Sequence, residues 1–266
     1  MSFFTDLSNY SFLQNAAIGG LLASLICGLI GPFVVIRKMS SLAGGISHSV
    51  LGGMGAAFYF GFSAQLGSLL AACISALVLG FVHLKRNEEE DTTIAVLWAG
   101  GMALGVLFMS WTPGYDTRLQ SALFGNLLMV SDKTLYYMAS LTFVVFAFIA
   151  FFYHQMIAIT FDERFASLRG LPTKAFYLLL MILVACSAVI LVQVVGLILV
   201  IALLSIPAAV ASIFAHSLRS LMLYSALLGT LLTLSGLVIS YEANTPTGAT
   251  IILISAVVYL SSRFAN

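Results

Sequence analysis

Charge is what this 266-residue chain has least of. Only 8 % of its residues are Asp, Glu, Lys or Arg, and 61 % are hydrophobic, where a soluble domain carries about 25 % charged residues. That balance excludes a water-soluble fold and points to an integral membrane protein. No polar stretch is long enough for a soluble domain, so residues 1–266 read as one transmembrane domain. A net charge of +1 excludes the strongly basic footprint of a nucleic-acid binder. Cysteine is scarce too. Cys27, Cys73 and Cys186 each sit in an apolar run at no ligand-like spacing, as buried inert thiols do. The opening residues MSFFTDLSNYSFLQN have no basic n-region and no A-x-A site, so no removable signal peptide is expected. A GxxxxGK[ST] phosphate loop is also missing, and a polytopic chain without a soluble domain cannot hydrolyse ATP itself.

What the chain has in abundance is long apolar runs. They predict an all-α polytopic protein with spans at 15–36, 42–61, 65–84, 92–111, 134–153, 174–194, 196–215, 220–240 and 247–262. The segment 121–131, SALFGNLLMVS, is too short to cross and reads as re-entrant or interfacial. An eight-span arrangement with one further re-entrant segment stays open. With nine spans and the N-terminus outside, Arg37, Lys38, Lys85, Arg86, Arg164, Arg169, Lys174, Arg219 and Arg263 fall on the cytoplasmic side. Only Arg118 and Lys133 fall outside, the bias that the positive-inside rule describes. The C-terminus is then cytoplasmic.

The acids are missing from the spans. Asp6, Glu88, Glu89, Glu90, Asp91, Asp116, Asp132, Asp162, Glu163 and Glu242 all lie in loops or at span ends. An ion-driven carrier working alone usually carries intramembrane acids, so their absence favours a partner ATPase as the source of energy. The ionisable group that does lie deep is His48. It follows Lys38 by ten residues, or about 15 Å of helix, about half of a hydrocarbon core of about 30 Å. An imidazole at that depth is costly unless it meets protein, water or a ligand, which makes it the first candidate site residue. Gly44, Gly45, Gly52, Gly53 and Gly55 around it admit close neighbours, with one face a candidate lining for a path. Ser47 and Ser49 flank His48, but no G-x-S-x-G turn accompanies them. An intramembrane hydrolase is therefore a remote reading, and back-bonding to carbonyls one turn earlier is the ordinary one.

Other features carry weaker signals. In the loop over about 155–174, Asp162 or Thr160 can cap a short helix through Leu168, and Gly170-Leu171-Pro172 stops it. Such a helix, with Glu163, Arg164 and Arg169, suits either contact with a soluble partner or an ordinary interfacial role. Asp91 before Thr92 and Thr93 reads as the N-cap of the fourth span. Glu242, in the outer turn YEANTP, is a candidate acid at an outer mouth. Pro207 kinks the seventh span, as a gate or as static packing. Gly101 and Gly105 form a G-x-x-x-G packing face. His83, His154 and His216 lie at cytoplasmic helix ends, where a cation is favoured.

Five stretches in order resemble the permease subunits of zinc, manganese and iron ABC importers. GPFVVIRKMSSLAGGISHSVLGG is similar to the family's first-span exit and ISHA-type motif, and EEDTTIAVLWAGGMALGVLFMS to its fourth span. LQSALFGNLLMVS is similar to its LFG(N/S)-I-L segment, QVVGLILVIALLSIPAAVA to QxVGxxLVxALLxxPAA(T/A)A, and SYEANTPTGATIILI to its late S-Y-x-x-x-x-P-(T/S)-G-A motif. The resemblance implies a homodimer in a prokaryotic plasma membrane, with a metal path at its centre. It also implies cytoplasmic ATP-binding cassette subunits contacting the Asp162–Pro172 loop, an extracytoplasmic metal-binding protein, and no permanently bound cofactor. Bulky-chelate permeases share the helical architecture but not this ISH motif. The family's histidine resembles a metal ligand paired with an aspartate four residues earlier; this chain has Gly44 there. A lone imidazole favours zinc, with manganese or iron(II) as alternatives, because carboxylate suits manganese better.

Overall fold

The computed structural model describes residues 3–85, 90–125 and 127–264, and every regular element in that range is a helix. Arg86, Glu88 and Glu89, invoked above, lie outside the described residues. A short helix α1 (Phe3–Asn9) precedes α2 (Ser11–Ile36), α3 (Ser40–Phe60), α4 (Ala64–Lys85) and α5 (Glu90–Ser110). Next come α6 (Tyr115–Phe124), a 3-10 turn at Leu127–Met129 and α7 (Asp132–Phe151). Two short helices, α8 (Tyr153–Phe161) and α9 (Glu163–Leu168), lead into α10 (Thr173–Val195), α11 (Leu197–Ala211), α12 (Leu218–Ala243) and α13 (Thr247–Phe264).

Seven of these, α2, α4, α5, α7, α10, α12 and α13, are long and apolar enough to cross a membrane. α3 matches them in length, but its glycines, serines and His48 dilute its hydropathy. α11 has 15 residues, about 22 Å of helix, short of the hydrocarbon core. It nonetheless runs between the two ends of the bundle. It starts at Gly196, against Gly125, and the chain beyond it reaches Arg219, stacked over Tyr153. With α3 and α11 the described chain passes between the ends nine times. The seventh span therefore ends at Ala211, earlier than the expected 215.

The segment expected not to cross is α6 with its 3-10 turn. Gly125 (φ 67°) and Gly196 (φ 82°) press backbone on backbone, so a Cβ at either would strike the other strand of chain. That contact returns the chain to the end it came from. α5 begins at Glu90, which puts Asp91 inside the first turn and not at the N-cap.

α3 is the centre of the packing, with α4, α5, α10 and α11 around it. Its glycines explain why. A Cβ at Gly52 would lie 3.0 Å from the Gly101 carbonyl oxygen, and one at Gly55 2.6 Å from that of Gly105. Gly53 meets the Gly67 carbonyl of α4. The glycine faces are thus filled by neighbouring helices and do not line an open path, because small residues here serve close helix approach. Gly53→Ala is expected to cost about 1–3 kcal/mol through overpacking, read as a lower melting temperature of the detergent-purified protein. Gly100→Ala, with nothing within 4 Å of its Cβ, should leave that temperature unchanged.

Candidate functional site

α3 carries His48 about 12 Å from its first residue, well inside the span. The side chain is 6 % exposed. Its Nδ1 lies 2.9 Å from the carbonyl oxygen of Gly44, one turn earlier. A carbonyl only accepts, so Nδ1 carries the proton and Nε2 keeps its lone pair. This is the arrangement by which a backbone carbonyl orients a metal-binding imidazole. The flanking serines are used elsewhere. Ser47 Oγ donates to the Ala43 carbonyl at 2.8 Å, and Ser49 Oγ to that of Ile46 at 2.7 Å. The imidazole pairs with neither serine, so the geometry offers nothing to the hydrolase reading.

Sequence reasoning missed the residue that covers His48. The Trp98 indole of α5 stacks on the imidazole, with centroids 4.0 Å apart and planes 23° from parallel. The same indole faces Gly44: a Cβ there would lie 2.7 Å from Trp98 Cζ3. α3 and α5 run parallel, pairing Gly44 with Trp98 and Gly55 with Gly105. The Gly-x-x-x-Gly spacing of α5 was legible, but its consequence for a residue three positions earlier was not. Among the described residues no group of three or more His, Cys, Asp or Glu is placed to hold a metal. Within one chain the imidazole is therefore a candidate ligand that stands alone. Toward the opposite end from Arg37, a cavity of about 570 Å³ is lined by Met54 and Phe58 of α3 with Ser63, Gln65, Ser121 and Gln193. Met54 lies under two turns beyond His48 on the same helix.

The residues of the loop expected to meet an ATPase form a second group, at the other end. Asp162 caps α9, its Oδ1 accepting from Phe165 N at 2.9 Å. Gly170 (φ 79°) ends it, and Leu171 N donates back to the Ala166 carbonyl at 3.1 Å. Arg164, Phe165, Leu168 and Arg169 are exposed around buried Ala166, and the Arg169 guanidinium lies 5.1 Å from the Phe165 ring centroid. Pro172 precedes α10. Glu163 forms an ion pair with Arg37 at the end of α2. Arg37 also lies 5.1 Å over the Tyr177 ring, which stacks with His83 at 4.2 Å. In the sequence Arg37 reads as a span-end, positive-inside charge; in the fold it ties α9 to the helix preceding α3.

The remaining candidates are dispersed. Glu242 Oε1 accepts from Phe3 N at 2.7 Å, while Tyr241 donates to Asp6 Oδ2 at 2.9 Å. Glu242 thus clamps α1 onto α12. Pro207 is buried within α11, its ring facing Gly229 of α12. The three cysteines are free.

Residues 9–266 match the family described as the ABC 3 transport family. An uncharacterised membrane protein of Synechocystis sp. is 41 % identical over 253 residues, covering 95 % of this chain and 90 % of its own. The manganese transport system membrane protein MntC of Halalkalibacterium halodurans is 32 % identical over 262 residues, covering 98 % and 90 %. Among solved structures, PsaBC from Streptococcus pneumoniae in complex with Fab is similar at a TM-score of 0.89 and 31 % identity, covering 98 % of this chain and 94 % of that one.

Proposed function

The chain belongs to the ABC 3 transport family, as a membrane permease of the metal-importer type, and from that premise we propose that it imports zinc through a path containing His48. The observation that carries this is the Nδ1 contact with the Gly44 carbonyl, which leaves Nε2 as a lone-pair donor at mid-span. A site without an accompanying carboxylate suits zinc. The manganese named for the relative from Halalkalibacterium halodurans supports manganese as the alternative cargo.

The whole chain acts as one transmembrane domain, as two copies that bring their His48 side chains to a shared path. The end carrying Arg37, Arg164, Arg169 and Arg219 faces the cytoplasm of a prokaryote, by the positive-inside rule. There the exposed face of α9, Phe165 and Leu168 between Arg164 and Arg169, docks on an ATP-binding cassette subunit that hydrolyses ATP. The Arg37–Glu163 pair then carries motion of α9 to α2 and α3. Opposite, an extracytoplasmic metal-binding protein delivers the ion to the cavity beside Met54, with Glu242 among the acids at that surface. Pro207, which cannot donate to the helix ladder, gives α11 a weak point at which a gate can bend.

The test is uptake into vesicles holding the permease, its ATPase and its binding protein, with zinc, manganese and iron(II) in competition. ATP-dependent uptake selective for zinc is expected. Selective manganese uptake would overturn the cargo assignment, and uptake without ATP would overturn the coupling.

A further inference from the structure

We propose that Gly44 and Trp98 together set the metal selectivity of the His48 site by keeping a carboxylate out of it; this rests on the transport reading above. Gly44 by itself looks like a lost ligand. The packing gives it a different meaning. Even a Cβ at that position would lie 2.7 Å from Trp98 Cζ3 and 3.4 Å from Cη2, both in the six-membered half of the indole. A side chain with a carboxylate needs still more room. The indole is held there by its stack on His48 at 4.0 Å, so a side chain at 44 has to push it off the imidazole. Its helix is also pinned along α3, where Gly101 and Gly105 lie against the backbone of Ser49 and Leu51. The space that residue 44 would use is therefore occupied by an aromatic group that also covers one face of the imidazole.

Three consequences follow for the cation. The ligand presented by α3 is imidazole alone, held in one tautomer by the Gly44 carbonyl. The indole wall is apolar and brings no negative charge to help strip water from a hard cation. A borderline cation that accepts nitrogen ligands is favoured over one that prefers oxygen. Trp98 acts through His48 and Gly44 and not by touching the transported ion. It is a positioning residue, and its effect should appear in selectivity and not only in rate.

The test uses the permease assembled with its ATPase and binding protein in vesicles, with zinc and manganese at equal concentration. The same binding protein serves every variant, so changes in the manganese-to-zinc uptake ratio arise in the permease. Gly44→Asp alone should lose uptake of both metals, because its carboxylate displaces the indole from His48. Gly44→Asp combined with Trp98→Ala should recover uptake, with the manganese-to-zinc ratio raised about tenfold over wild type. Gly44→Ala with Trp98→Ala supplies the volume without the carboxylate and should keep the wild-type ratio. If the alanine variants fail to co-purify with the ATPase, Trp98→Phe, which keeps a ring and drops the benzo edge facing Gly44, replaces Trp98→Ala throughout. A double aspartate variant that transports with an unchanged ratio, or Gly44→Asp transporting normally beside Trp98, overturns the inference. Unimpaired uptake by His48→Ala in the same vesicles would instead remove the path through His48 on which it rests.

Discussion

Vesicles carrying His48→Ala are expected to lose ATP-dependent metal uptake by about a hundredfold or more, while the permease still co-purifies with its ATPase. The size follows from the poverty of the site. Among the described residues no cluster of three metal-binding side chains exists to take over, and even second-sphere changes at metal sites commonly cost about 10–100-fold in affinity or activity. Removing the one nitrogen ligand that α3 presents should cost at least as much. Assembly should survive because the glycine contacts that lock α3 to α5 and α4 do not involve the imidazole. Thermal stability should fall by the lost stack on Trp98, about 0.5–1.5 kcal/mol for an aromatic pair, together with the lost Nδ1 hydrogen bond to Gly44 and the cavity left by a buried ring. Full uptake with the alanine variant would take His48 out of the mechanism and leave the family membership untouched.

Charge reversal on α9, as Arg164→Glu with Arg169→Glu, is expected to abolish co-purification with the ATPase and with it all uptake. Both arginines are exposed and flank the exposed Phe165 and Leu168, so this is the face free to meet a partner. The helix itself should persist, since its N-cap from Asp162 and its end at Gly170 do not use either arginine. Arg37→Ala gives the contrasting outcome. Its guanidinium pairs with Glu163 from inside the bundle and lies over Tyr177, so losing it should spare ATPase binding and ATP turnover while uptake falls. Binding lost in one variant, and coupling lost in the other, would separate the docking face from the tether. If the reversed variant still binds the ATPase and transports, α9 is not the docking element.

Much of this architecture was legible before any coordinates. Burying apolar surface in lipid is a sum over consecutive residues, so hydropathy alone located the crossing segments to within a few residues. The depth of His48 followed from helix rise and the position of Lys38. The serine back-bonds at Ser47 and Ser49 and the cap at Asp162 were also readable, because each joins groups at most four residues apart. The G-x-x-x-G pair of α5 announced close packing, although not the helix it meets.

The tertiary structure decided everything that depends on a partner distant in sequence. Arg37 and Glu163 are 126 positions apart, Phe3 and Glu242 239 apart. A loop charge in the sequence becomes a tether or a clamp only when packing brings the other group beside it. The same holds at the site. Gly44 reads as an absent ligand in the sequence, and Trp98 as one more apolar residue of a span. Only the parallel contact of α3 and α5 places the indole where a side chain at 44 would be. Local energies, apolar transfer and capping, are written along the chain; the identity of what fills a gap is set by close packing between helices, and no local pattern records it.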